Sequence, residues 1–128
     1  MQRLIFKSKI HRATLTGKSL EYEGSIAVDK TLLKLADILP GEQVHVLNLN
    51  NGVRLITYAI PAPAGSGTML LNGPAARLGE PGDLIVLLTY TWMATAEAKQ
   101  YKPTVIRVDA KNEPLPKTAV KKKENGRL

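Results

Sequence analysis

Asn51-Gly52 lies between two β-rich runs, Val44-His45-Val46-Leu47-Asn48-Leu49 and Val53-Arg54-Leu55-Ile56-Thr57-Tyr58-Ala59-Ile60. Asn-Gly is the preferred two-residue hairpin turn, because both central positions need positive φ. The pair predicts an antiparallel hairpin that turns at 51–52. Side-chain alternation then sends Arg54, Ile56 and Tyr58 to one face and Leu55 and Thr57 to the other.

The rest of the chain reads as more of the same. Residues 2–16 carry a β-type mix, Gly17-Lys18-Ser19 reads as a turn, and Leu20–Tyr22 begins a strand that Gly24 interrupts before Ile26-Ala27-Val28. Asp29 is a good N-cap for a short helix from Lys30 to about Ile38, with Leu32, Leu33, Leu35 and Ala36 as its buried stripe and Pro40-Gly41 as its stop. Thr68–Leu71 reads as a short strand. Asn72–Gly79 reads as one or two helical turns with Pro74 near the start and Gly79 at the end. Leu84–Tyr90 is a continuous apolar strand, Thr95 caps another short helix, and Pro103–Val108 is a last strand. Many short strands with Gly/Pro turns predict a small closed β-barrel.

Composition narrows the function. With 128 residues the chain is predicted to be one domain, residues 1–112, followed by a basic, disordered tail, 113–128. There is no Cys, so disulfides, thiolate metal sites and cysteine nucleophiles are excluded. No apolar run approaches a membrane span, and Met1–Lys7 becomes charged too early for a signal peptide, so no membrane association and a cytoplasmic location are expected. The net charge of +7 suggests nucleic acid at first sight, but residues 111–128 alone hold six basic and two acidic groups. The excess sits mostly outside the barrel, and nucleic acid is not the expected partner.

Catalytic inventory is thin. His11 and His45 cannot make a three-histidine metal site, and the chain has no phosphate loop and no Gly-x-Ser-x-Gly. No metal and no pyridoxal phosphate are expected. An enzyme with these residues needs an imported cofactor or one made from its own chain.

Several short pieces, in order, carry a resemblance: Lys9-Ile10-His11-Arg12-Ala13, Tyr22-Glu23-Gly24-Ser25, Asn51-Gly52-Val53-Arg54-Leu55, Thr57-Tyr58, Gly65-Ser66-Gly67, Leu71-Asn72-Gly73 and Pro81-Gly82-Asp83. Over about residues 1–110 the chain resembles the bacterial aspartate 1-decarboxylases, pyruvoyl enzymes that supply β-alanine for pantothenate. The resemblance implies a mainly β fold, a six-stranded double-psi β-barrel with short helices. It also implies a homotetramer with active sites between subunits and L-aspartate as the small-molecule substrate. The chain would be a zymogen that cleaves itself autocatalytically between Gly24 and Ser25.

The chemistry follows from that expectation. Decarboxylating an α-amino acid leaves electrons on Cα, which need a sink conjugated to the amino nitrogen. A pyruvoyl carbonyl made from Ser25 can serve through a Schiff base. To make it, the Ser25 hydroxyl attacks the Gly24 carbonyl and gives an ester. β-Elimination frees Gly24 and leaves dehydroalanine, and hydrolysis with loss of ammonia leaves the pyruvoyl group. Gly24 is expected to permit strained backbone there. By resemblance Thr57 stabilises the oxyanion of this step, Tyr58 is the proton donor after CO2 leaves, and Lys9, Arg54, Thr57, Asn72, Gly73 and Ala75 bind substrate. His11 and Tyr22 lie near the processing site with roles left open.

The chain departs from the family in Asn72-Gly73-Pro74-Ala75-Ala76, where Pro74 replaces a more usual Ala and removes an N–H. Leu47 stands where some relatives carry an aromatic residue. Read without the family, Arg54 and Lys9 are solvated charges, Thr57 and Tyr58 are ordinary strand residues and His45 is structural or surface. The alternatives are a non-enzymatic basic β-barrel binding module or an unprocessed, inactive relative of the decarboxylases. Whether a maturation factor assists cleavage is left open.

Overall fold

The computed structural model describes residues 1–21 and 23–116. Tyr22 and the lysine-rich segment 117–128 lie outside the described residues, so the expectations placed on them are outside it too. Among the described residues, eight strands form one sheet: β1 (Gln2–Thr14), β2 (Gly17–Ser19), β3 (Ser25–Asp29), β4 (Gln43–Asn48), β5 (Arg54–Ala62), β6 (Met69–Asn72), β7 (Leu84–Ala94) and β8 (Thr104–Arg107). Two short α-helices, α1 (Lys30–Leu35) and α2 (Thr95–Ala98), and a 3₁₀ turn at Gly73–Leu78 complete it. The mainly β expectation with short helices holds. No helix among the described residues is long and apolar enough to cross a membrane.

The strand order is β2-β6-β3-β5-β4-β7-β1-β8. Only Leu15 and Thr16 separate β1 from β2. Leu15 donates its N–H to the Asp83 carbonyl at the start of β7, and Thr16 donates to Met69 in β6. The chain therefore passes continuously from pairing with β7 to pairing with β6, and this joins β1 to β2 at the far end of the order. Counting β1 and β2 as one element, six strands go round the barrel, and β8 is added parallel to β1. Expecting Gly17–Ser19 to be a turn misses this seam. Leu20 and Glu21 form the turn instead, and β3 starts only at Ser25.

The interior is aliphatic. Ile10, Leu15, Ile26, Leu32, Met69, Leu71, Ile85 and Leu87 are the largest fully buried side chains, each stabilising by about 1.5–3 kcal/mol on burial. They come from every barrel strand except β4 and β5, which contribute Val44, Val46 and Ala59. β7 runs to Ala94, longer than its apolar core, and its far end carries exposed Trp92.

The hairpin of β4 and β5 forms, but not as a two-residue turn. Leu47 pairs with Arg54 and Asn48 donates its N–H to the Val53 carbonyl, so the loop is Leu49–Gly52. Only Gly52 takes positive φ, at 78°. The reason is side-chain chemistry: Asn48 Oδ1 accepts from the backbone of Asn50, and Asn51 Oδ1 accepts from Val53 N, so two Asx turns build a wider loop. The face assignment survives, because the register moves by an even number of residues.

Other ends moved for similar reasons. Asp29 caps α1 as expected, accepting from Thr31 N at 2.8 Å. The helix stops at Leu35 because Asp37 adopts φ 57°, and Leu35 is exposed instead of buried. Thr95 opens α2 without capping it, and its hydroxyl contacts the Met1 carbonyl and Arg3 instead. Gly79 ends the 3₁₀ turn in extended backbone, φ −163°, and not in a left-handed cap. A Cβ at Gly79 would lie 2.7 Å from Leu15 Cδ1, so close approach requires the glycine here.

The Gly65-Ser66-Gly67 motif belongs to the Asp29 carboxylate. Asp29 Oδ1 accepts from Gly65 N and Oδ2 from Gly67 N, and both glycines have positive φ. Burial pushes the Asp29 carboxyl up, but the N–H groups of Gly67, Thr31 and Gly65 outweigh it and hold the group below its ordinary value. Asn112 fastens the end of the barrel: its side chain exchanges two bonds with the Thr14 backbone and donates a third to Gly67 O. Residues 113–116 continue back along β8, with Leu115 N donating to Arg107 O.

Candidate active site

Ser25 is the first residue of β3 and is 2% exposed. It faces Asn72, the last residue of β6, as an antiparallel Cα pair. Asn72 is fully buried, and its Nδ2 donates to Ser25 Oγ at 3.0 Å. The Ser25 hydroxyl donates to the Glu23 carbonyl at 3.3 Å. A buried serine hydroxyl is thus held between a side-chain donor and the backbone just before it. Asn72 stands at the N-cap position of the 3₁₀ turn, yet its side chain makes no capping bond. Its Oδ1 is buried and finds no partner among the described residues. A buried amide acceptor without a partner costs about 1–3 kcal/mol, so the site carries an acceptor open to an added polar group. The Asn72 Nδ2 donor beside Ser25 Oγ fits a carbonyl oxygen made at position 25.

Gly24 is half-buried and does not adopt left-handed backbone, so the expected strained φ is not what places glycine there. The nearest heavy atom to a Cβ added at Gly24 would be Pro74 Cδ, at 3.6 Å. Pro74 therefore packs its ring toward the Gly24–Ser25 junction. The sequence assigned it only a missing N–H. Gly73 beside it has φ 64° and is buried, and Ala75 is buried at 8% exposure. Gly73 is the position where a side chain would strain the backbone.

Tyr58 and Ser25 line one open cleft of about 400 Å³, together with Glu21, Glu23 and Ile60. β3 and β5 run parallel with Ile26 opposite Ala59. Following that register back by one residue sets Tyr58 beside Ser25, and by two sets Thr57 level with Gly24. Thr57 is half-buried on the face opposite Tyr58. The structure thus brings Gly24, Ser25, Thr57, Tyr58, Asn72, Gly73, Pro74 and Ala75 to one end of β3.

Lys9, His11 and Arg54 are elsewhere in the chain. Arg54 shares the Tyr58 face but lies four residues, about 13 Å, along β5. Lys9 is on β1 opposite Leu88, with its Nζ 5.5 Å from the Phe6 ring centroid. His11 pairs with Arg107 on β8 and lines a separate cavity of about 310 Å³ with Arg12, Arg107 and Asp109. Among the described residues, the charged side chains lining the Ser25 cleft are Glu21 and Glu23. The described residues of one chain therefore offer the wrong sign of charge for an anionic ligand, and Lys9 and Arg54 sit on the outer face of the barrel.

Comparison with known proteins places the chain. A family model described as aspartate decarboxylase covers residues 1–115.

The chain belongs to the aspartate decarboxylase family.

Individual relatives agree over nearly their whole length. Aspartate 1-decarboxylase of Thermoanaerobacter pseudethanolicus is 56% identical over 115 residues, 90% of this chain and 98% of that protein. The enzyme of the same name from Moorella thermoacetica is 53% identical over 124 residues, covering 97% and 94%. Aspartate 1-decarboxylase 1 of Gloeobacter violaceus is 57% identical over 112 residues, covering 88% and 95%. Within this aspartate decarboxylase family member, two features escaped sequence reasoning. One is the approach of Pro74 to the open side of Gly24, which only the three-dimensional meeting of two loops creates. The other is His45, whose Nδ1 lies 3.2 Å from Arg54 Nη1. An alternation argument places His45 on the outer face but cannot choose its neighbour without the hairpin register.

Proposed function

We propose that this protein decarboxylates L-aspartate to β-alanine and CO2, a carboxy-lyase step feeding pantothenate synthesis in the cytoplasm, with a pyruvoyl group made from Ser25. The observation that carries the reading is the buried Ser25 hydroxyl held by Asn72 at 3.0 Å, directly after a half-buried Gly24.

In processing, Asn72 orients the Ser25 oxygen toward the Gly24 carbonyl carbon, and the Thr57 hydroxyl donates to the oxygen on which charge develops. The peptide C–N bond breaks as the ester C–O bond forms. Loss of the Ser25 Cα proton then expels the Gly24 carboxylate. Water replaces nitrogen, ammonia leaves, and the new carbonyl remains at position 25. That carbonyl supplies the electron sink for decarboxylation. Tyr58, on the same cleft, returns a proton to the substrate carbon after CO2 departs. The unpartnered Asn72 Oδ1 is available to a donor brought by the reacting group.

Substrate charge is met by a second copy. Glu21 and Glu23 disfavour a dicarboxylate in the single-chain cleft, whereas Arg54 can grip a carboxylate with two parallel N–H bonds and Lys9 adds a point charge. We assign Lys9 and Arg54 of a neighbouring copy to the site, in a homotetramer. Exposed apolar side chains support an assembly: Trp92 (66%) and its Cα partner Leu4 (53%) on one edge, and Ile56 (60%) beside Tyr58 on β5.

Intact-mass analysis tests the core of the reading. Two fragments are expected, Met1–Gly24 and a chain beginning at residue 25 that resists Edman sequencing. A single full-length species in a preparation that releases CO2 from aspartate would overturn the pyruvoyl assignment. Native mass spectrometry tests the tetramer, and a substrate panel of aspartate, glutamate and other amino acids tests the specificity.

A further inference from the structure

Arg54 and His45 sit on adjacent strands of the outer barrel face, and their contact has a definite polarity. A guanidinium carries N–H donors and no acceptor. For Arg54 Nη1 to bond His45 Nδ1 at 3.2 Å, that ring nitrogen must offer its lone pair. The proton of the neutral ring is then on Nε2. The ring is held edge-on against Tyr90 of β7, with centroids 4.9 Å apart and planes at 63°. Arg54 itself is exposed and His45 half-buried, so the anchored partner is the histidine.

Among the described residues, the titratable groups placed around His45 on β5, β7 and β1 are phenolic or basic. Arg54 approaches from β5, with Tyr58 further along the same face. Tyr90 packs from β7. Leu88 lies directly opposite His45 and separates it from Lys9 on β1. A proton added at Nδ1 would point N–H at N–H and place a third positive charge beside Arg54 and Lys9. Protonated His45 therefore cannot hold the guanidinium in place.

We infer that neutral His45 is a positioning residue that aims the Arg54 guanidinium at the substrate carboxylate, so that substrate affinity falls on the acid side as His45 gains a proton. This rests on the reading of Arg54 as a substrate-binding residue. The bond uses one of the five N–H groups of Arg54 and leaves the rest for ligand. It also limits the side-chain freedom that an exposed arginine otherwise loses on binding.

The test is steady-state kinetics on the processed full chain with aspartate, from about pH 5.5 to 8, where histidines change charge and the substrate does not. His45→Phe keeps a ring against Tyr90 and removes the acceptor. It is expected to raise KM about three- to tenfold at the alkaline end, the scale of one net hydrogen bond, with kcat within about twofold, and to abolish the acid-side rise in KM. His45→Asn places a non-titrating acceptor near the Nδ1 position, so near-normal KM with a flat pH profile is expected. In an Arg54→Ala background, His45→Phe should add nothing. Unchanged KM and an unchanged pH profile in His45→Phe, with Arg54→Ala impaired, overturn the inference alone. Unchanged KM in Arg54→Ala overturns the substrate role of Arg54 and the inference with it. If His45→Phe fails to fold, His45→Asn decides: a retained acid-side rise in KM overturns the inference.

Discussion

The side-chain amide of Asn72 is directed to Ser25 Oγ, at 3.0 Å, while the 3₁₀ turn that Asn72 precedes is left without a side-chain cap. Local propensity favours Asn at such a cap. The site has therefore drawn the side chain away from its ordinary use. Asn72→Ala should remove the orienting bond and slow the appearance of the two processed fragments by about 10²-fold, the cost of a poorly placed nucleophile. The time course of intact mass after synthesis checks it. Ser25→Ala should stay uncut and release no CO2.

Gly24→Ala separates the two uses of glycine at the cleavage point. The backbone at Gly24 is not left-handed, and an added Cβ would meet Pro74 Cδ at 3.6 Å, an ordinary contact. The substitution should change stability by less than about 1 kcal/mol. Chemical denaturation in a Ser25→Ala background reads stability without cleavage. A large loss there would mean that glycine is structurally required.

Asp29 predicts the acid limb of stability. Its folded carboxyl titrates below the ordinary value, so the unfolded chain binds the proton more readily and stability rises with pH through this window. The contribution is complete above the ordinary carboxylate range and is lost as pH falls through the lowered folded value. Asp29→Asn should flatten the stability–pH curve in that acid window. Asp29→Ala should cost about 2–4 kcal/mol at neutral pH, since a helix cap and two loop N–H groups lose their acceptor. Urea titrations between about pH 3 and 7 check both.

Gly79→Ala should destabilise by overpacking, about 1–3 kcal/mol, because a Cβ there would stand 2.7 Å from Leu15 Cδ1 and 3.1 Å from Leu71 Cδ1. The obstacles are side-chain ends, so Leu15→Val in the same chain should recover part of the loss. If the double variant is no better than the sum of the singles, the contacts with Leu71 Cδ1 and Asn48 Nδ2 are the cause instead.

Much of the barrel was legible in the sequence because its signals are local. Asp29 before Leu32-Leu33, the apolar Leu84–Leu88 run and the alternation of β5 depend on near neighbours only. The hairpin loop departs from the two-residue turn that Asn51-Gly52 predicts because Asn48 and Asn51 both fold their side chains onto the backbone and lengthen it by two residues. That shift hid the His45–Arg54 contact: a two-residue turn would pair His45 with Tyr58, whereas the actual register pairs it with Ile56, next to Arg54 in position. Gly17–Ser19 is a strand and not the turn its residues predict, because its partner, β6, lies more than fifty residues away. Of the site, Ser25 and Asn72 are forty-seven positions apart, and no periodicity links them. Their meeting was visible only through resemblance.

The seam between β1 and β2 changes what a break after Gly24 would mean. The first twenty-four residues would keep their ladders to β7, β8 and β6 and their share of the core through Ile10, Ala13 and Leu15. Covalent continuity would end while the fold stayed closed. Unfolding would then release two molecules where there had been one, and refolding would require them to collide. For the cut protein the melting point should rise with concentration, as for an obligate complex, and dilution should expose a dependence that the uncut Ser25→Ala barrel lacks at the level of its own chain.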